Sequence, residues 1–279
     1  MRHRAGLPPR PGPARGGGPG REVTTPLCCP GCGVVLEPAR LRAAGNVCRC
    51  GRHFPLDPDG WVALLADPGS WAEHWAELRP GDVLGWSRPR PYRATLEAHL
   101  AKGVNEAVRA GRCLLAGRPA WLAVFDFRFV GGTLGVVAGE RLARAAERAA
   151  AERCPLVVVT ASGGARMQEG PWALLQMAKV NAAVAALHDS AVPYVTVLSH
   201  PTYGGTAASL ALVADLILAE PGASVGFTGP RVIEQATHQR LPANFQTSEF
   251  QLEHGQVDMI VPRPELRGAV AGLLGILWR

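Results

Sequence analysis

The sequence lacks the short motifs that mark many hydrolases and nucleotide-binding proteins. It contains no GxxxxGK[ST] phosphate-binding loop and no HExxH metal motif. Its later histidines are isolated in the chain, which favours surface or packing roles over that of a catalytic base: His188, His200, His238 and His254. An enzyme with this sequence is therefore expected to work through backbone donors and a cofactor that another protein supplies.

Long apolar runs are also missing. The longest candidate, 268–278, has 11 residues, whereas a helix needs about 20 to cross a bilayer. The basic N-terminus is not followed by the apolar segment of a secretory signal. Five of the seven cysteines lie between Cys28 and Cys50, a distribution that does not match a secreted disulfide framework. We expect a cytoplasmic protein without a membrane segment.

Acidic residues are absent from the first 21 positions, which contain five arginines. Without those five, 24 basic residues face 23 acidic ones, so most of the net charge of +6 belongs to this segment. The nearly neutral remainder argues against a nucleic-acid-binding surface on the folded part. Hydrophobic residues make up 47% of the chain, which is enough for a buried core and excludes a collagen-like or wholly disordered protein.

Composition divides the chain into three parts. Residues 1–25, rich in Gly, Pro and Arg, are expected to be disordered because they have little apolar surface to bury. Residues 26–56 are predicted to form a small cysteine-bearing domain, and residues 57–279 the main domain.

In the main domain, short apolar runs alternate with segments of helical periodicity. The runs predict strands at 121–129, 156–160, 194–198 and 216–219. The periodic segments predict helices at 139–153, 171–188 and 264–278, with a shorter helix that ends at Val213. This alternation indicates an α/β fold with parallel strands.

The cysteine-bearing domain contains a CxxC pair, followed 15 residues later by a CxC pair. The four candidate metal ligands are Cys29, Cys32, Cys48 and Cys50. Two close thiolate pairs at this separation are typical of a structural zinc ribbon, because the metal joins two turns that lack a hydrophobic core of their own. The CxC spacing departs from the usual CxxC. Cys28 and His53 therefore stay open as alternative ligands, and so does a ribbon that no longer binds metal.

Two glycine pairs follow two of the predicted strands. Gly163 and Gly164 follow the strand at 156–160, and Gly204 and Gly205 follow the strand at 194–198, each ahead of a helix. A strand that turns through two glycines into a helix can direct two backbone N–H groups at one point. Such paired donors can form an oxyanion hole, although an ordinary tight turn has the same sequence pattern.

From residue 26 to about 275, the sequence resembles the carboxyltransferase β subunit of bacterial acetyl-CoA carboxylase. The resemblance begins with SGGARMQEG at 162–170. Further matching blocks are FDF at 125–127, GGTLG at 131–135, QMAK at 176–179, PTYGG at 201–205, AEP at 219–221, GFTGPRVIEQ at 226–235 and EHGQVDMI at 253–260. The resemblance implies a crotonase-type fold, a superhelix of ββα units, with a small N-terminal zinc ribbon that holds one structural Zn²⁺ per chain.

The same resemblance implies a function. Members of this family move a carboxyl group from carboxybiotin to acetyl-CoA and so form malonyl-CoA, the first step of fatty acid synthesis. The β subunit works with an α subunit in an α2β2 assembly, a carrier protein delivers biotin, and an ATP-binding biotin carboxylase charges it. The biotin anion takes the proton of the acyl methyl group, so no side-chain base is needed.

The resemblance also ranks the site residues. Gly204 and Gly205 are the better candidates for the oxyanion donors, and Gly163 and Gly164 come second; which pair faces the thioester oxygen stays open. Arg166, Gln168 and Glu169 are expected to hold the glycine turn or a subunit interface.

Two other functions stay open from the sequence alone. A carboxyltransferase for another acyl-CoA, such as propionyl-CoA, would need only a slightly different pocket. A non-catalytic zinc-ribbon protein that binds nucleic acid would explain the ribbon and the basic N-terminal segment.

Overall fold

The structure is a computed structural model that describes residues 27–278. The segment 1–25, which composition predicts to be disordered, lies outside the described residues. The strands are β1 (Leu27–Cys28), β2 (Val35–Leu36), β3 (Ala72–His74), β4 (Val108–Leu115), β5 (Arg118–Phe125), β6 (Leu156–Ser162), β7 (Tyr194–Tyr203), β8 (Leu216–Ala219), β9 (Val225–Gly226) and β10 (Met259–Ile260). The helices are α1 (Pro38–Ala43), α2 (Pro58–Leu65), α3 (Tyr92–Leu100), α4 (Val136–Glu152), α5 (Pro171–Asp189), α6 (Gly204–Thr206), α7 (Pro230–Thr237), α8 (Ser248–Glu253) and α9 (Arg263–Leu277).

Eight strands form one mixed sheet in the order β10, β8, β7, β6, β5, β4, β3, with β9 paired to β7. The pairs from β5 through β6, β7 and β8 to β10 are parallel, and β3 and β4 add an antiparallel edge. In the register, Leu156 of β6 lies between Trp121 of β5 and Tyr194 of β7. Because β6 and β7 are parallel neighbours, the glycine-containing segments that follow them emerge at the same edge of the sheet.

The core lies on both faces of this sheet. Every residue of β6 is buried, and successive side chains point to opposite faces. Val158 packs on the side of α4 and α5, in a cluster with Leu142. Val157 packs on the opposite side, in a cluster with Trp61 of α2 and Leu266 of α9. This burial on both faces explains why β6 is a continuous apolar run rather than an alternating one.

The predicted elements of the main domain are present, with shifted ends. The helix predicted at 171–188 is α5, and the strand predicted at 216–219 is β8. The strand predicted at 121–129 is wrong at its end, since β5 stops at Phe125. There the Asp126 carboxylate accepts the N–H of Arg128 at 3.0 Å, and such a side-chain bond to the backbone favours a turn over an extended strand.

Residues 27–56 form a small unit with its own core. The hairpin of β1 and β2 is followed by α1, and a bridge between Val47 and His53 closes the unit. Leu36, Leu41 and Phe54 pack around two of the cysteines. In the described part of the chain, no helix is both long and apolar enough to cross a membrane.

Candidate active site

The two glycine pairs lie against each other at the carboxyl ends of β6 and β7. A Cβ atom on Gly204 would be 3.1 Å from the Cα of Gly164, and one on Gly164 would be 3.3 Å from the Cα of Gly204. Both residues have positive φ, +109° at Gly164 and +62° at Gly204, a region that side chains disfavour. Only glycine therefore fits at both positions without strain, and the sequence pattern did not reveal that the pairs meet.

The two pairs differ in what their amides do. The N–H of Gly163 donates to the Gly131 carbonyl at 2.9 Å, and that of Gly164 donates to the Ser162 hydroxyl at 3.1 Å. Among residues 27–278, the amides of Gly204 and Gly205 make no bond outside the helices and strands, but the parallel pairing of Tyr203 with Gly226 directs the Gly204 N–H at β9. The first N–H groups of a helix lack intrahelical partners, so Gly205 in α6 is the best placed of the four amides to donate to a ligand.

The helical segment after each pair also differs. Gly204 is the first residue of α6, which continues as a turn of π-helix through Ala207–Ala211. Gly164 is followed by a short 3-10 turn at Met167–Glu169, and the predicted helix α5 begins at Pro171. Of the two pairs in the described residues, Gly204 and Gly205 are the one that begins a helical segment.

Met177 of α5 packs behind the second pair. A Cβ on Gly205 would lie 2.3 Å from the Met177 Sδ atom. Gly205 is buried, Gly204 is half-buried and Gly163 is exposed, so solvent reaches the junction of the pairs from one side.

Hydroxyl groups connect β6 to β7 beneath the glycines. The Thr160 and Thr202 hydroxyls are 2.9 Å apart, and those of Ser162 and Thr206 are 2.8 Å apart. All four side chains are buried. Since a buried hydroxyl is costly without a partner, these paired bonds stabilise the register that brings the glycines together.

Arg166 lies fully buried behind the first pair and holds several segments together. It forms an ion pair with Glu106, donates to Glu169 Oε1 at 3.0 Å, and donates to the Thr133 carbonyl at 2.7 Å. Tyr92 donates to the same Glu169 oxygen at 2.6 Å. Burial opposes the charge of Arg166, but the Glu106 carboxylate outweighs it and raises the pKa of Arg166 above its usual value.

Glu169 completes this network at the start of α4. Its second oxygen accepts the N–H of Val136 at 2.6 Å, a donor that the first turn of a helix leaves unpaired. Arg166 and Glu169 thus hold the loop around Thr133 against the turn at Gly163. The sequence analysis named Arg166 and Glu169 as residues that hold the glycine turn or a subunit interface. Glu106 and Tyr92 are remote in the chain, and no local sequence pattern pointed to them.

Three of the isolated histidines in the described residues contact groups other than the glycine pairs. His200 accepts the Ser224 N–H on Nδ1 at 3.2 Å, and burial together with nearby Arg52 lowers its pKa. His188 lies beside Asp215, with 3.6 Å between Nε2 and Oδ1. His254 stacks on Phe250, with ring centroids 4.0 Å apart.

The four predicted cysteine ligands converge in the ribbon. The sulfur atoms of Cys29, Cys32, Cys48 and Cys50 all lie within 4.8 Å of one another. Two of the separations are 3.6 Å, between Cys29 and Cys50, and 3.7 Å, between Cys32 and Cys48. Tetrahedral zinc with bonds of about 2.3 Å places its sulfurs roughly 3.8 Å apart, so the cluster has the dimensions of such a site despite its CxC spacing.

The pKa values of Cys29 and Cys48 are shifted in opposite directions. Burial opposes ionisation of Cys29, but the N–H groups of Gly31 and Cys32 outweigh it and lower its pKa to about 6. The Cys50 N–H favours the thiolate of Cys48, yet burial and the neighbouring sulfurs raise its pKa to about 11. Four thiols so close together cannot all ionise without a cation between them. Neither Cys28 nor His53 belongs to the cluster.

A second buried ion pair fastens the ribbon to the main sheet. Arg263 donates to Glu220 at 2.5 Å and also to the carbonyls of Gly45 and Phe54, at 2.7 and 2.9 Å. His53 Nδ1 lies 3.2 Å from the same Glu220 carboxylate. Arg263 begins α9 and Glu220 directly follows β8, so both of these elements contact the ribbon.

Comparison with known proteins agrees with this architecture. Residues 78–262 match the family model "Carboxyl transferase domain". A Pseudomonas malonate decarboxylase hetero-dimer aligns with a TM-score of 0.63 at 26% identity, over 79% of this chain and 86% of that one. Transcarboxylase 12S aligns with a TM-score of 0.67 at 24% identity, over 85% of this chain and 43% of that one, which shows a shared fold. The fold is that of the crotonase-type carboxyltransferases.

Proteins related in sequence identify the family more narrowly than the structural neighbours do. The chain is 51% identical to an acetyl-coenzyme A carboxylase carboxyl transferase subunit beta 2 of Roseiflexus sp. (strain RS-1), over 88% of this chain and 82% of that protein. It is 47% identical to a subunit beta of Prochlorococcus marinus (strain MIT 9303), over 88% and 85%. A fused beta/alpha protein of Salinispora arenicola is 52% identical, and there the chain spans 44% of the relative's length. The chain belongs to the family of acetyl-CoA carboxylase carboxyltransferase β subunits.

Proposed function

We propose that this chain transfers a carboxyl group from carrier-borne carboxybiotin to acetyl-CoA, forming malonyl-CoA, together with an α subunit. The observation that supports this most directly is the position of Gly204 and Gly205 at the start of α6, where the first N–H groups of a helix lack intrahelical partners. A nucleic-acid-binding role is not favoured, because the family resemblance covers the main domain and the excess positive charge lies in the first 21 residues.

The chemistry requires stabilisation of a developing negative oxygen. When the methyl group of acetyl-CoA loses a proton, charge develops on the thioester oxygen. Backbone N–H groups at Gly204 and Gly205 would donate to that oxygen, and loss of one such donor costs about 3 kcal/mol of transition-state stabilisation. Gly163 and Gly164 shape the opposite wall, since their amides are already bonded.

Carrier-borne biotin supplies the carboxyl group in this scheme. The role of Arg166 and Glu169 is to keep the first glycine pair at its distance from the second, without contact to the substrate. The proposal includes a biotin carboxyl carrier protein and a biotin carboxylase as further partners, and puts the chain in the cytoplasm.

For the cysteine cluster we propose one structural Zn²⁺ per chain, held by Cys29, Cys32, Cys48 and Cys50. The fit of the sulfur separations to tetrahedral coordination supports it. Four protein ligands leave no open coordination position, so the metal would stabilise the ribbon and take no part in carboxyl transfer.

Reconstitution tests the function. The chain, mixed with a carboxyltransferase α subunit and carboxybiotin, should convert acetyl-CoA to malonyl-CoA, whereas the chain alone should not. Absence of product with an α subunit that is active beside another β subunit would contradict the proposal. A kcat/KM series over acetyl-, propionyl- and butyryl-CoA distinguishes the acyl specificities, which differ by about 1–3 kcal/mol per methylene.

A further inference from the structure

Glu220 is a buried carboxylate that has no part in the proposed reaction. It directly follows β8 and is 1% exposed. Arg263, at the start of α9, donates to both of its oxygens, at 2.5 and 2.8 Å, and so compensates the buried charge. Two further groups nevertheless meet the same carboxylate, His53 of the ribbon and Ser199 of β7. Glu220 therefore joins the ribbon, α9 and β7 at one point.

The pairing of β7 with its neighbours is irregular where Ser199 lies. The register passes from Leu198 to Thr202 of β7 while β6 advances by only two residues, from Thr160 to Ser162. Three residues of β7, 199–201, therefore face one residue of β6. The pairing with β8 also ends at Leu198. We name residues 199–201 the β7 bulge.

The β7 bulge leads directly to the second glycine pair. Gly204 follows it by three residues and begins α6. Bulges are frequent beside active sites, because the extra residues change the direction in which the following groups point. The path of the bulge therefore sets where Gly204 and Gly205 lie.

Side chains hold the β7 bulge where the register of the sheet does not. The Ser199 hydroxyl donates to Glu220 Oε2 at 2.7 Å, and both side chains are buried. His200 Nδ1 accepts the Ser224 N–H at 3.2 Å. The Ser199 carbonyl accepts the Thr202 hydroxyl at 3.0 Å. A bond to an ionised acceptor is about twice as strong as one between neutral groups, so the bond from Ser199 to Glu220 should contribute most.

The ribbon and α9 fix the position of the carboxylate. Besides Glu220, Arg263 binds the carbonyls of Gly45 and Phe54, at 2.7 and 2.9 Å. His53 Nδ1 lies 3.2 Å from Glu220 Oε1, while Oε2 accepts from the serine of the bulge. These contacts restrict rotation of the carboxylate, so the β7 bulge is attached to a group that cannot easily move.

We propose that Ser199 and Glu220 are positioning residues for the glycine site. Glu220, held by the ribbon and α9, fixes the β7 bulge through Ser199 and so places the amides of Gly204 and Gly205. This inference rests on the proposed function, in which those amides face the substrate oxygen. Neither positioning residue contacts the substrate in this scheme.

The hydroxyl of Ser199 can be tested with two substitutions of equal size. Ser199→Thr keeps the hydroxyl, whereas Ser199→Val has the same branched shape without it, and both shapes suit a strand. Ser199→Ala is a third variant, which adds no bulk. Ser70→Ala is the control elsewhere in the chain: its hydroxyl donates to the Asp67 carbonyl at 2.7 Å, just before β3 at the far edge of the sheet from β8. Circular dichroism and thermal unfolding establish that each variant is folded at the assay temperature.

Steady-state kinetics with acetyl-CoA are measured for each full-length variant in complex with the α subunit. A donor displaced by about 1 Å can cost about 100-fold in rate, and loss of one anchor should displace it less. We expect kcat to fall about 10-fold in Ser199→Val and Ser199→Ala, with KM unchanged within about 2-fold, because only the transition state loses an interaction. Ser199→Thr and Ser70→Ala should keep the wild-type kcat. Equal kcat in the valine and threonine variants, or a change in KM alone, would overturn the proposal.

Hydrogen exchange separates this inference from the function, because it requires no turnover. Amides of 200–206 should exchange faster in Ser199→Val than in Ser199→Thr, since a segment with fewer anchors opens more easily. Equal exchange in the two variants would overturn the proposal. If exchange differs as expected but the wild-type complex makes no malonyl-CoA, the positioning of the glycine pair stands and the proposed reaction fails.

Discussion

Gly164 and Gly204 touch across the gap between β6 and β7, with a hypothetical Cβ on Gly204 only 3.1 Å from the Cα of its neighbour. The two residues are 40 positions apart in the sequence. Their contact places the exposed Gly163 turn opposite the start of α6.

Gly204→Ala should abolish most of the activity at a moderate cost in stability. The new methyl group meets Gly164, and the positive φ of +62° costs about 1–2 kcal/mol. We expect kcat with acetyl-CoA to fall at least about 100-fold, as when an oxyanion donor is displaced. Gly222→Ala is the control, because Gly222 has φ +68° but open space around it. It should lose similar stability and keep its activity; equal activity of both variants would argue against an oxyanion role.

Arg166→Ala should destabilise the protein by about 3–5 kcal/mol, because it leaves Glu106 buried and unpaired. Arg144→Ala should cost less than about 1 kcal/mol, since its pair with Glu140 is exposed to solvent. Urea unfolding measures both. Arg166→Lys keeps the charge but loses the forked contact of the guanidinium group. Its loss of stability should therefore lie between those of the two alanine variants. If the two alanine variants have equal stability, the network around Arg166 does not hold the loop.

Removal of metal should unfold the ribbon before the main domain. Elemental analysis is expected to give one zinc per chain in the wild type and in Cys28→Ser, but none in Cys29→Ser. Cys28 is the matched control because it is an exposed cysteine outside the cluster. Retention of zinc by Cys29→Ser, or its loss from Cys28→Ser, would show that the ligand set is different. Chelation should lower the proteolytic resistance of 27–56, since structural zinc provides folding free energy.

The contribution of Glu220 to stability should depend on pH. Burial opposes its ionisation, but His53 and Arg263 outweigh it and hold the pKa of Glu220 below its usual value. A lowered folded-state pKa means that the stabilisation is fully present above the unfolded value of about 4.3 and is lost as the pH falls through the folded value.

Glu220→Gln tests this dependence. At pH 7 the variant should be less stable by about 3–5 kcal/mol, because Arg263 is left buried without its partner. The difference from wild type should shrink as the pH falls below about 4. Urea unfolding at a series of pH values measures it; a difference that grows in acid would mean that the sign of the pKa shift is wrong.

Local patterns were sufficient for the strands β5 to β8 and for α4, α5, α6 and α9, which are half of the main domain's elements. The run of β-branched residues in β6 and the long apolar periodicity of α5 are visible within single segments, because they reflect burial along one strand or helix. The end of β5 was missed because the Asp126 turn depends on a side-chain bond that apolar periodicity does not report. The candidate glycines and cysteines were found by residue type and spacing. The sequence did not show which glycine pair faces the thioester oxygen or whether the four cysteines come together.

The sequence by itself determined the central strands and the long helices, which residues can accept positive φ, and which cysteines are close enough in the chain to form two pairs. The tertiary structure alone decided that Gly164 meets Gly204, that Glu106 neutralises Arg166, and that Arg263 reaches back to Gly45. The reason is chain separation: these partners are 40, 60 and 218 residues apart. The parallel order of β6 and β7 brings the two glycines together, and the packing of the ribbon on α9 brings Arg263 to Gly45, which local patterns in the sequence do not report.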